Sequence, residues 1–98
     1  MFKVELEFDK TLPKNLVNEF CEKTDEIFEG EGVLCAKKSF GERIYIDENE
    51  EEGYGNIGAA IVLMSECETL FNAVKKAVWY HNEKREDMMG IVFGKCLK

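Results

Sequence analysis

The sequence predicts an α+β fold: a two-layer, ferredoxin-like sandwich of order β-α-β-β-β-α-β, with both helices on one face of a mainly antiparallel sheet. Two segments, 13–29 and 65–84, have apolar residues at helical spacing, and the segments around them have the alternating or continuous apolar character of strands. A chain of 98 residues can bury a core of its own, so we expect residues 1–98 to form a single domain.

The first two elements have clear periodicity. Residues 2–8 alternate apolar and charged side chains, which predicts a strand with one buried face. Pro13 suits the first turn of a helix, and an apolar stripe continues to about Glu29 before Gly30 and Gly32. A neighbouring stripe of this helix is acidic and contains Glu19, Glu22, Asp25, Glu26 and Glu29.

The middle of the chain predicts a hairpin followed by an acidic loop. Val33 to Phe40 and Arg43 to Asp47 are typical of two strands joined by a tight turn around Gly41. Residues 47–52 include five carboxylates and lead into Gly53, so we expect a solvated loop over residues 47–58.

The last three predicted elements rest on apolar runs and on one capping motif. Gly58 to Met64 is wholly apolar and short, which favours a buried strand over a helix. Ser65 and Glu68 match a capping box, so a second helix is predicted to run from there to about Lys84. Met88 to Leu97 would close the chain as a buried strand.

The charge and the hydropathy of the sequence argue against two classes of partner, nucleic acids and membranes. The formal net charge of −7 argues against nucleic acid, because phosphate binding depends on Lys and Arg contacts. No apolar run approaches the length of a membrane-spanning helix, and the amino terminus lacks a secretory signal pattern. We therefore expect a cytoplasmic protein that binds no membrane, with its four cysteines reduced.

Two motifs match binding sites by letter but not by context. Gly53, Gly55 and Gly58 have dinucleotide-loop spacing, yet an acidic run precedes them and a strand-like run follows, so no pyrophosphate cradle is predicted. Residues 47–58 also resemble a calcium loop, but Glu52 occupies the turn-glycine position and Gly58 the bidentate-glutamate position. No metal and no cofactor are predicted.

The cysteines and the one histidine do not form a predicted catalytic pair. On one continuous helix, Cys67 and His81 would lie about 21 Å apart. A pairing of Cys21 or Cys35 with His81 through the fold stays open. Glu5 and Glu7 share one face of a strand and are explained as an exposed polar face. The sequence predicts no catalytic residues and no enzyme.

Trp79 and Tyr80 lie outside the apolar stripe of the predicted second helix. They could form an exposed aromatic and basic patch with Lys75 and Lys76, or they could pack against a neighbouring element.

Two functions from different classes follow from these observations. The first is a small, non-catalytic, acidic protein-binding module of inhibitor, immunity or regulatory type that engages a basic partner. The second is a self-associating domain that dimerises through its sheet face or binds a small apolar ligand. The residues predicted to contact a partner lie on the first helix, the acidic loop and the second helix: Glu22, Glu26, Glu48, Glu50, Glu51, Glu52, Tyr54, Trp79 and Tyr80.

Overall fold

The computed structural model describes residues 1–49, 53–81 and 84–87, with the backbone alone at residues 53, 54, 86 and 87. In chain order the elements are β1 (Phe2–Phe8), α1 (Lys14–Gly30), β2 (Leu34–Ser39), β3 (Glu42–Asp47), α2 (Gly53–Ser65), α3 (Glu68–Asn72), β4 (Val74–His81) and β5 (Lys84–Asp87). Within these residues, five strands form one antiparallel sheet of order β2-β3-β1-β4-β5. The predicted α+β class is confirmed.

Strand β1 lies at the centre of the sheet, between β3 and β4. Its four alternate apolar side chains, Phe2, Val4, Leu6 and Phe8, are all buried, as the period of two predicts. They share one core cluster with residues of α1, α2 and α3. The strand predicted over residues 2–8 is confirmed.

The first helix and the hairpin also match their predictions. Helix α1 begins directly after Pro13 and ends at Gly30, and Gly32 takes a left-handed φ of 80° as the chain leaves the helix. Strands β2 and β3 pair antiparallel around Gly41, which has a φ of 71°. A Cβ at Gly41 would lie 3.1 Å from Cγ of Lys10, so both conformation and space favour glycine there.

The strand predicted for Gly58 to Met64 is wrong, because these residues belong to helix α2. The loop predicted over residues 53–58 is wrong for the same reason. Ile57, Ala60, Ile61 and Met64 are the buried positions, at the i, i+3, i+4 and i+7 spacing of a helix with one face in the core. A short apolar run has no period by itself, and the helical spacing appears only when Ile57 is included.

The second helix predicted from Ser65 to about Lys84 is also wrong. Among the described residues after Ser65, the helical ones are the five of α3, and Val74–His81 forms strand β4. The predicted capping box is absent, since Cys67 occupies the position before α3 and the Ser65 hydroxyl donates to the carbonyl of Val62. Val74, Val78, Trp79 and Tyr80 are residue types that favour strands, and pairing with β1 outweighs the helical spacing of Val74 and Val78.

Over the described residues the element order is therefore β-α-β-β-α-α-β-β. The closing strand predicted for Met88 to Leu97 lies outside the described residues.

Candidate functional site

Asp25 lies on the inner side of α1 and is only 7% exposed. Its carboxylate accepts a hydrogen bond of 2.6 Å from the Tyr45 hydroxyl. Nε of Arg43 lies 3.1 and 3.3 Å from its two oxygens, and Nζ of Lys38 lies 3.5 Å from Oδ2. The sequence had placed Asp25 in the exposed acidic stripe of the helix. That assignment is wrong, because Asp25 lies one turn after the buried Cys21 and so faces the sheet.

The partners of Asp25 extend this contact into the hairpin. Nη1 of Arg43 donates to the carbonyl oxygens of Ser39 and Glu42, at 2.8 and 2.9 Å. The Tyr45 ring stacks on Phe28, with ring centroids 4.0 Å apart. Burial raises the pKa of Tyr45, and the adjacent Asp25 raises it further. The network ties α1 to β3 and to the β2–β3 turn.

The outer side of α1 carries four exposed glutamates, Glu19, Glu22, Glu26 and Glu29, which we call the outer glutamate row. Their spacing of three, four and three residues places them along one side of the helix over about 15 Å. Within the described residues, none of the four has an ion pair or a hydrogen bond through its side chain. Lys23, the nearest cation along the helix, also forms no ion pair within the described residues.

The carboxylates of the sheet differ from this row, because lysines lie beside them. Glu5 lies 3.5 Å from Nζ of Lys3 and 3.9 Å from Nζ of Lys76. Lys10 pairs with Glu42 and lies 4.0 Å from Glu7, which faces Glu42 across the β1–β3 ladder. Glu5 and Glu7, which share one strand face as predicted, are thus ion-paired surface groups.

The residues predicted for the acidic loop are only partly described. Glu48 is exposed beyond the end of β3, whereas Glu50, Glu51 and Glu52 lie outside the described residues. Tyr54 belongs to α2, where its backbone alone is described. Glu22 and Glu26 lie in the outer glutamate row.

Trp79 and Tyr80 do not form the predicted helical patch, because they are neighbours on strand β4 and point to opposite faces of the sheet. Trp79 pairs with Val4 and packs against the core. Tyr80 pairs with Lys3, whose Nζ lies 4.4 Å from the ring centroid. Both side chains are partly buried.

Two of the described cysteines, Cys21 and Cys35, have thiols with raised pKa values. Burial raises the pKa of the Cys21 thiol, and burial followed by the charge of Asp25 raises that of Cys35. A raised pKa keeps a thiol protonated and weakens it as a nucleophile. The His81 ring stacks on Phe2, with centroids 4.1 Å apart. In residues 1–49, 53–81 and 84–87, no group of three His, Cys, Asp or Glu side chains could hold a metal ion.

An open depression of about 500 Å³ lies at one end of the β2–β3 hairpin, and we call it the corner depression. Its apolar residues include Leu34 and Ile46, which are direct partners in the β2–β3 ladder. Glu48 and Asn49 line its other side. Sequence analysis identified Glu48 but missed Leu34 and Ile46, although their alternation within the hairpin could have placed them on one face.

Comparison with protein-family models, with curated proteins and with solved structures found no match to this chain. Among the described helices, none combines the length and the apolar character needed to cross a membrane.

Proposed function

We propose that this chain is a non-catalytic, acidic protein-binding module that engages a basic partner through the outer face of α1 and through the acidic segment that begins at Glu48. The observation that carries the proposal is the outer glutamate row: these exposed carboxylates have no partner within the described residues, whereas those of the sheet lie beside lysines.

The electrostatics of the row favour a charged partner. Like charges three and four residues apart on a helix repel one another by a few tenths of a kcal/mol per pair. A basic surface would relieve that repulsion, and the net charge of −7 would steer such a surface toward the chain. Complementary charges of this kind affect the association rate and the choice of partner more than the final affinity.

The strand order supports a ferredoxin-like arrangement of this module. The order β2-β3-β1-β4, with α1 following β1 and α2 following β3, is what a split β-α-β sandwich requires. In that arrangement both helices cover one face of the sheet, which leaves the outer side of α1 to a partner.

The remaining predicted contact residues extend the proposed surface. Glu50, Glu51 and Glu52 follow Glu48 directly in sequence and would add to its negative charge. Tyr54, which lies two residues after Glu52 in the sequence, is proposed as an aromatic contact. Trp79 and Tyr80 contribute less to the proposed surface, because they lie on β4 and are partly buried.

The test is a comparison of two double variants with the same charge change. E22Q/E26Q removes the centre of the outer glutamate row, and E66Q/E68Q removes two exposed glutamates elsewhere on the chain. Each immobilised protein is exposed to a lysate of the native host, and bound proteins are quantified by mass spectrometry at two salt concentrations.

We expect the wild type and E66Q/E68Q to retain at least one basic protein. The bound amount of that protein should be about tenfold lower on E22Q/E26Q, and high salt should release it. Equal retention by the two double variants, or the absence of any salt-sensitive basic protein, would overturn it.

Self-association through the sheet face is the second candidate. It is favoured by Leu34, which is 73% exposed, together with the neighbouring Ile44 and Ile46. Sedimentation of the purified chain decides between the two: a concentration-dependent dimer that L34S dissociates supports self-association, and a monomer at all concentrations excludes it.

A further inference from the structure

The corner depression combines an apolar floor with a carboxylate at its rim. We propose that it binds a lysine or arginine side chain from an extended basic segment of the partner, with the aliphatic stem against Leu34 and Ile46 and the cationic head at Glu48. This inference rests on the proposed function and specifies the side chain that the partner presents.

The floor consists of a cross-strand pair. Leu34 and Ile46 are directly opposed in the β2–β3 ladder, so their side chains lie on the same face of the hairpin. Leu34 is the most exposed large apolar residue among those described, at 73%. A volume of about 500 Å³ is within the range of small-ligand sites and can hold one long side chain with adjoining backbone.

Of the two described carboxylates that line the depression, one is not already used. Asp47 accepts hydrogen bonds from the Asn49 backbone amide and the Asn56 side chain, each at 2.9 Å, and is mostly buried. Glu48 is exposed, and no ion pair or hydrogen bond of its side chain occurs within the described part of the chain. Of these two lining carboxylates, Glu48 is therefore the one available to a cation.

Other occupants fit less well. A purely apolar ligand would draw Glu48 out of water without supplying a partner, which costs free energy. A second copy pairing along the outer edge of β2 would bring exposed Lys37 and Lys38 of each copy toward the other chain, and lysines on an edge strand oppose such pairing. Lysine and arginine combine an aliphatic stem with a charged end, which matches both features of the depression.

The test uses the peptide acetyl-Thr-Val-Arg-Val-Thr-amide and its analogue with norleucine in place of arginine. Titration followed by backbone amide shifts should show saturable changes at Leu34, Cys35 and Ile46. We expect the norleucine peptide to bind at least fivefold more weakly, and E48Q to weaken the arginine peptide about fivefold. L34S should weaken both peptides, and E66Q should leave both unchanged.

Shifts located elsewhere, equal binding of the two peptides, or no effect of E48Q would overturn the inference. These failures are distinct from failure of the proposed function. A basic host protein lost in E22Q/E26Q but retained in E48Q and L34S would support binding at the outer glutamate row and reject the corner depression.

Discussion

The inner and outer sides of helix α1 both carry carboxylates, but the inner carboxylate is buried and bonded whereas the outer ones are exposed. Asp25 is buried, and a tyrosine hydroxyl, a guanidinium and a lysine converge on it. The next residue, Glu26, is exposed and has no side-chain partner within the described residues. A rotation of 100° along the helix thus separates a carboxylate that holds the fold together from one that is available to a partner.

The difference shows that acidic composition alone does not define a binding surface. On α1, only the exposed members of the acidic set can contact another protein without cost to the fold. Four predictions test this separation, from the largest expected effect to the smallest.

Replacing Asp25 should have the largest effect on stability. In D25A the Tyr45 hydroxyl loses its acceptor and the largely buried Arg43 loses its counterion, and breaking a buried pair in this way costs about 3 kcal/mol. Urea unfolding followed by circular dichroism measures the loss. The matched control is the adjacent variant E26A, for which we expect a change within about 0.5 kcal/mol. Equal losses in the two variants would remove the distinction between the two sides.

Removing the Tyr45 hydroxyl should have an intermediate effect. Y45F keeps the ring that stacks on Phe28 and deletes the donor to Asp25, so the free energy of unfolding should fall by about 1 to 1.5 kcal/mol. Y80F, on the opposite face of the sheet, should change it by less than about 0.5 kcal/mol. An unchanged Y45F would show that the hydroxyl contributes nothing to the attachment of α1.

The contribution of the contact between Tyr45 and Asp25 should also appear as a loss of folding stability at alkaline pH. The pKa of Tyr45 is raised above its ordinary value near 10 in the folded state, chiefly by burial and then by Asp25. Its stabilising contribution is therefore complete below pH 10 and decreases at higher pH, where the unfolded chain ionises first, by about 1.4 kcal/mol per pH unit. Urea unfolding between pH 9 and 11 should show a steeper loss for the wild type than for Y45F. Parallel curves would contradict the assigned shift.

Neutralising the outer glutamate row should have the smallest effect on folding. E22Q/E26Q removes repulsion between exposed carboxylates, so the free energy of unfolding in low salt should stay the same or rise slightly, by less than about 0.5 kcal/mol. The difference should disappear at 1 M salt, where exposed charges are screened. A clear loss of stability would mean that these glutamates hold the fold and are not free for a partner.

Sequence periodicity predicted the first half of the chain well and the second half poorly. The alternation over Phe2–Phe8 and the stripe of α1 each extend far enough to define one period. The run Gly58 to Met64 is too short to do so, and Val74–His81 has apolar residues at helical spacing although pairing with β1 makes it a strand. That pairing joins residues about 70 positions apart, which no local pattern contains.

The candidate site was predictable to the same extent. The exposure of Glu22 and Glu26 was predicted correctly, because the helix that contains them was predicted correctly. Asp25 was assigned to the wrong side because it lies at the boundary between the two stripes, where the position of β3 decides burial. Trp79 and Tyr80 were grouped because a helix was expected, and the alternation of a strand separates them.

Asp25 is tied to β3 while its neighbour Glu26 is not, and a double-mutant cycle measures this difference directly. Unfolding free energies of wild type, D25A, Y45F and D25A/Y45F should give a coupling of about 1 to 2 kcal/mol, and the same cycle with E26A should give a coupling near zero. A coupling near zero for Asp25 and Tyr45, or an equal coupling for Glu26, would contradict the division of α1 into a structural side and an exposed acidic side.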